Sequence, residues 1–261
     1  MNNLKKTLTV RLAQGIGNQL FMYANAYSLS KSYNYQLFID NTSGYFKKKD
    51  QLRTYELNNF LLEENLATSD LKFDTHSKNL KRKILIKLDK FRNYRSFILE
   101  KKDANKKTFF TKINLDNYSN KLFLEGHFES EKYFYEYKDD LKNIFKVKNN
   151  LLENNNLYID DIKNNNSVSI CIRQNRYSEG RLKNNDKSLK FTKDTIDYIH
   201  RAITYIKKKI DNPMFFVWSN DFKNLREHFN EKEYVFVENS INKSLNDFHL
   251  FNFSKHFIVG P

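Results

Sequence analysis

Along this chain, apolar positions switch repeatedly between a short strand-like pattern and a helical one. Leu8–Ala13 predicts a short strand, followed by a glycine turn and a helix from about Asn18 to Ser32. Gln36–Ile39 predicts a second strand ending at Asp40, and Phe123–Glu125 another that runs into Gly126. Ser130–Phe145 has helical periodicity. In the second half, strands at Ser167–Ile172, Met214–Trp218, Tyr234–Val237 and His256–Val259 alternate with helices at Thr192–Ile210, Phe222–Phe229 and Leu245–Phe253. Such alternation predicts a parallel sheet with helices on its faces, an α/β chain.

Asparagine clusters at 149–150, 154–156 and 164–166, and Asn-rich stretches favour turns over packed elements. The expected organisation is therefore an N-terminal α/β domain over 1–150, a linker over 151–166 and a second α/β domain over 167–261. The 261 residues suffice for two such domains. A 15% aromatic share excludes disorder throughout. No apolar run approaches the ~18 residues of a spanning helix. The apolar stretch near the start is broken by Arg11 and Gln14, so no secretory signal is expected. A single cysteine, Cys171, excludes an internal disulfide and suits a reducing cytoplasm.

The formal charge of +14 is unevenly placed. Residues 78–107 carry twelve Lys or Arg and three acids, a local excess of +9. Leu80, Ile84, Leu88 and Phe91 share one helix face there, with Lys81, Arg82, Lys83, Lys87 and Lys90 around the remainder. Such a helix either packs on its own domain with a solvated basic side or lies on an anionic bilayer. Aromatics do not interleave with the basic run as a nucleic-acid stacking platform requires, so no nucleic-acid partner is expected.

The string from Arg11 to Phe21 places two glycines, Gly15 and Gly17, between a strand and a helix. Glycines let the backbone approach a ligand, and helix N-terminal amides favour an anion; a plain β-turn-α unit is the alternative. It is not a dinucleotide fingerprint, because the third glycine would fall at Leu20.

The longer string Gly15-x-Gly17-Asn18-Gln19-Leu20-Phe21-x-Tyr23-Ala24 resembles the G-G-L-G-N-Q-M-F-Q-Y-A opening of bacterial α-1,2-fucosyltransferases (glycosyltransferase family 11). Further segments resemble that family in order. They are Asp40-Asn41-Thr42-Ser43, Arg53-x-Tyr55-Glu56-Leu57-Asn58-x-Phe60, Gly126-His127-Phe128-Glu129-Ser130-Glu131-Lys132-Tyr133-Phe134, Ser219-Asn220-Asp221, and Asp247-Phe248-x-Leu250 leading into Ser254-Lys255-His256-Phe257-Ile258. The resemblance implies a GT-B fold of two Rossmann-like domains with the donor in the cleft. It also implies inverting, metal-independent transfer of L-fucose from GDP-fucose to O2 of a galactose-type acceptor, an oligosaccharide or glycolipid of surface polysaccharide. No cofactor is expected beyond the GDP-sugar substrate. The protein is expected in the cytoplasm or peripherally on the inner membrane.

Two departures stand out. The family's H-x-R-R-G-D becomes Cys171-Ile172-Arg173-Gln174-Asn175-Arg176, which keeps only the first arginine in place. Arg173 and Arg176, with Arg181 in the same loop, are the expected diphosphate ligands, since Arg presents a planar fork to phosphate oxygens. The family also continues beyond the last strand, whereas this chain stops at Gly260-Pro261, so the second domain is expected to be incomplete.

Without a metal, arginines and helix amides must stabilise the departing diphosphate. Gly15, Gly17, Asn18, Gln19, Arg173, Arg176, Ser219 and Asp221 are the candidate nucleotide-sugar residues. Arg173, Glu179 and Asp40 are the catalytic candidates; Glu179 and Asp40, together with Glu129, are tested as base in place of the family's Asp. His127 and Glu129 are the acceptor candidates. Asn18 suits either a ligand or a helix cap, Ser219 and Asp221 either guanosine or a cap, and His127 either an acceptor or a packed core. Cys171 reads as a small core residue. A transferase for another GDP-sugar, an inactive relative and a basic membrane or nucleic-acid binder are the rival readings.

Overall fold

The computed structural model describes residues 5–46, 53–105, 107–152, 157–174, 177, 184–239 and 243–260. The chain divides into two compact units, Met1–Lys146 and Val147–Pro261.

The first unit is built on four parallel strands, β1 (Thr7–Arg11), β2 (Gln36–Asp40), β3 (Arg95–Leu99) and β4 (Tyr118–Glu125), in the order β2-β1-β4-β3. Between β1 and β2 runs α1 (Ile16–Tyr33). Small residues let α1 bury much of its circumference: Ala24, Asn25, Ala26, Ser28 and Ser30 are all buried. It ends where Asn34 turns left-handed (φ 57°), with the N–H groups of Asn34 and Tyr35 both donating to the Ser30 carbonyl. The helix α2 (His76–Asp89) starts at Thr75, whose hydroxyl accepts from Lys78 N. Leu85 and Ile86 of α2 pack on the cluster of Ala67, Leu71, Phe73, Phe97 and Phe123.

The second unit has the parallel order β7-β6-β5-β8, from β5 (Asn166–Ile172), β6 (Pro213–Ser219), β7 (Tyr234–Phe236) and β8 (His256–Val259). Period-two alternation sorts its two faces. Val168, Ile170, Ile172, Phe215 and Val217 meet Ile196, Ile199 and Ile203 of α5 (Asn185–Lys207). Phe216 and Trp218 point the other way, onto Ile162 of α4 (Ile159–Asn164) and Leu250 of α6 (Lys243–Phe251). On that face Ser169 Oγ accepts from Trp218 Nε1 at 2.8 Å and lies 2.6 Å from Ser254 Oγ, which ties β5 to the entrance of β8.

Several expectations need correction. The Asn-rich stretch expected as a linker holds α4, whose Ile162 is fully buried in the second unit. Ser130–Phe145 is two 3-10 turns and then α3 (Lys138–Ile144), because Phe134 leaves helical geometry at φ −142°. Phe222–Phe229 contains only a 3-10 turn at Leu225–Glu227: Asn224 is left-handed, and Asp221 Oδ1 takes Lys223 N into a tight turn. The edge strand β3 was not expected, since its apolar triplet Phe97-Ile98-Leu99 is short and sits amid basic neighbours.

Candidate functional site

In open α/β sheets, ligands gather beyond the carboxyl ends of the strands where the strand order reverses. In the first unit that reversal lies between β1 and β4. The glycine turn leaves β1 there, and Gly126-His127-Phe128-Glu129 leaves β4. The two loops touch. Asn18 Nδ2 donates to Glu129 Oε1 at 3.0 Å, and His127 Nδ1 lies 3.7 Å from the same oxygen. The His127 and Glu129 side chains are about half exposed, so the carboxylate is open to a substrate.

The glycine turn itself is firmly built. Gln19 is fully buried; its Nε2 donates to the carbonyls of Gln14 (2.9 Å) and Thr54 (2.8 Å), and its Oε1 accepts from Glu56 N (2.9 Å). Those three bonds use both amide donors and one acceptor site, and they fasten the turn to the Arg53–Glu56 segment. Arg53 lies across Gly15, its Nη1 3.5 Å from where a Cβ would stand. Gly17 differs: a Cβ there would meet nothing within 4 Å, and its φ is not left-handed. Neither backbone nor neighbours demand glycine at 17, and its backbone faces open space.

The loop after β4 is set by Glu100, a residue with no distinguishing signal in the sequence. Its Oε2 accepts from His127 N (2.9 Å) and its Oε1 from Phe128 N (2.8 Å). Gly126 takes φ 153°, and a Cβ would run into that of Glu100, so glycine is obligatory there.

Beneath both loops lies a group of charges. Arg82 of α2 holds Glu125 in a fork, Nε to Oε1 at 2.9 Å and Nη2 to Oε2 at 3.0 Å. Arg11 donates to the Ser43 carbonyl at 2.9 Å, while its buried Nε finds no acceptor among the described residues. Burial lowers the Arg11 pKa and raises that of Glu125 against the pull of the two arginines. Asp40 is 2% exposed, and its Oδ1 accepts from Thr42 N, Thr42 Oγ1 and Ser43 N. Its side chain shapes the turn after β2. A Cβ at Gly44 would run into the Leu12 carbonyl, which keeps that turn tight on β1.

In the second unit, Ile172 of β5 pairs with Ser219 of β6, so Arg173 and the Ser219-Asn220-Asp221 loop emerge side by side. Gln174, in place of the family's second arginine, laces them together. Its N–H donates to Asn220 Oδ1 (2.8 Å) and its Nε2 to the carbonyls of Asp221 (2.6 Å) and Lys223 (2.9 Å). Ser219 Oγ donates to the Asp221 carbonyl at 2.6 Å. Arg173 is exposed at this edge. Arg176, Glu179 and Arg181 lie outside the described residues. Cys171 is partly buried on β5, and desolvation there pushes its thiol up to about 12.

The sequence profile of Glycosyl transferase family 11 matches residues 1–260. The chain belongs to that family. It is 30% identical over 233 residues to an α-1,2-colitosyltransferase of Escherichia coli, covering 86% of this chain and 72% of the relative. It is 26% identical over 239 residues to the O-antigen biosynthesis glycosyltransferase WbnK of Escherichia coli, covering 88% and 78%. Among solved structures, a point mutant of Arabidopsis thaliana FUT1 in complex with GDP aligns with a TM-score of 0.53 at 11% identity, over 98% of this chain and 66% of that one. That likeness is one of fold, and with two parallel-sheet units it agrees with the α/β, GT-B-type architecture expected of a family 11 glycosyltransferase. Among the described residues, no helix is long and apolar enough to cross a membrane.

Proposed function

We propose that this family 11 glycosyltransferase moves L-fucose from GDP-fucose to O2 of a galactose-type acceptor in surface polysaccharide, with inversion and without a resident metal. The observation that carries this reading is the meeting of Asn18, His127 and Glu129 beside the open backbone of Gly17, where the strand order reverses. Glu129 is the proposed base: it takes the proton as the acceptor oxygen bonds to the sugar C1 and the C1–phosphate oxygen bond breaks, GDP leaving with the electron pair. Asn18 and His127 orient the carboxylate, and Asp40 and Gln19 hold the turns around it. On the second unit, Arg173 with Arg176 balances the diphosphate charge, while Ser219 and Asp221 shape the edge that faces the nucleoside.

A second donor is favoured by one observation, the 30% identity to an α-1,2-colitosyltransferase. Colitose is fucose without its 3-hydroxyl, so both sugars share the group at C6 and the configuration at the reacting carbon. The enzyme is proposed to act in the cytoplasm. Transfer from GDP-fucose or GDP-colitose to a β-galactoside, run in EDTA and followed by NMR of the product, tests the proposal. An α-1,2 linkage supports it. A β linkage, another position, or activity that returns only with added divalent metal contradicts it.

A further inference from the structure

The helix α2 is amphipathic on both of its faces, in different senses. Its inner side, Asn79, Arg82, Leu85, Ile86 and Asp89, is turned to the sheet: Leu85 and Ile86 pack on the core, Arg82 holds Glu125, and Asp89 accepts from Ser96 N and Phe97 N. Its outer side carries Leu80, Ile84 and Leu88, continued by Phe91, which are 59%, 50%, 50% and 87% exposed. At 100° per residue these four fall in one stripe opposite the buried face. Lys83, Lys87 and Lys90 line one flank of the stripe and Lys81 the other. None of the four lysines pairs with a carboxylate among the described residues. From His76 to Arg95 the sole acid is Asp89, and it is buried. Beyond the helix, a cleft of about 480 Å³ is lined by four cations, Arg92, Arg95, Lys101 and Lys112, against two acids, Glu100 and Asp116.

We infer that this face seats the enzyme on an anionic lipid bilayer. A bare apolar stripe that long on a soluble surface marks a contact site. Its rim distinguishes the occupant: protein interfaces are depleted of lysine, whereas an apolar stripe between unpaired lysines fits acyl chains below and phosphate headgroups at the edges. Helix α2 lies flat in the interface, Leu80, Ile84, Leu88 and Phe91 enter the acyl boundary, and the lysines meet the headgroups. The inference stands apart from the donor and acceptor reading.

The test is co-sedimentation of the full chain with phosphatidylcholine vesicles, with and without phosphatidylglycerol. The protein is expected to bind the anionic vesicles, to release with rising salt, and to bind neutral ones weakly. Replacing Lys81, Lys83, Lys87 and Lys90 with Gln is expected to lower partitioning about tenfold or more. Phe91→Ser, past the end of the helix and outside the core, is expected to weaken it without altering the melting temperature. Transfer from the GDP-sugar to a soluble acceptor should be unchanged in these variants, which separates failure here from failure of the proposed activity. Absence of binding to phosphatidylglycerol vesicles, or binding indifferent to both sets of substitutions, would overturn the inference. So would a concentration-dependent dimer abolished by Phe91→Ser, which would make the stripe an interface between two copies.

Discussion

Asn18 Nδ2 donates to Glu129 Oε1 across 3.0 Å, joining residues 111 positions apart at the one place where the first sheet reverses its strand order. Glu129→Gln keeps an acceptor for Asn18 and removes the base. The variant is expected to lose about a hundredfold or more in kcat, with its melting temperature unchanged because the side chain is half exposed. Steady-state kinetics beside a thermal melt checks this, and full activity would remove Glu129 from the chemistry.

Gly17 and Gly126 are expected to answer the same substitution in opposite ways. Gly17→Ala meets no atom and sits in the first turn of α1, so it should leave stability unchanged or raise it by up to about 1 kcal/mol. Its cost should appear in KM, if a substrate approaches that backbone. Gly126→Ala adds a Cβ at φ 153° against Glu100 and should destabilise by more than about 1 kcal/mol. Urea unfolding of both variants, with kinetics on Gly17→Ala, separates the two.

Glu100→Ala removes the acceptor of two backbone N–H groups, those of His127 and Phe128. It is expected to cost about 2 kcal/mol and to weaken acceptor use by loosening His127 and Glu129. Glu100→Gln leaves one acceptor oxygen and should fall between. A chemical denaturation series that ranks native, Gln and Ala in that order checks the account.

The first-strand turn was legible because its two glycines fall between the polar-apolar alternation of β1 and a run without Gly or Pro through the rest of α1. The second unit was legible for the same reason: β5 and β6 alternate cleanly between two cores. Where the sequence misled, a single backbone position had broken a continuous pattern, as at Phe134 and Asn224. The strand β3 was hidden because its apolar part, Phe97-Ile98-Leu99, is only three residues long and directly follows a basic run. Glu100 carried no signal at all, and Arg53 was flagged only as the start of a family-like segment, because the role of each depends on a partner 27 or 38 positions away that only the fold brings near. The motif did flag Gln19, but the residue holds the turn from inside and exposes nothing to a ligand.

Cys171 stands where the family pattern has histidine, and burial pushes its thiol up to about 12. A raised thiol pKa means less thiolate at any pH below it. At pH 8 the native protein should therefore react slowly with a disulfide reagent such as Ellman's and quickly once unfolded. Rapid reaction in the native state would place the thiol in solvent.

The most direct measurement of the central claim is donor turnover across GDP-fucose, GDP-colitose, GDP-mannose and UDP-galactose, with GDP affinity measured in parallel on the native protein and Arg173→Ala. Turnover of GDP-fucose or GDP-colitose, and a GDP affinity at least about tenfold weaker in the variant, is the predicted result. Turnover of UDP-galactose alone, or GDP binding indifferent to Arg173→Ala, would contradict it.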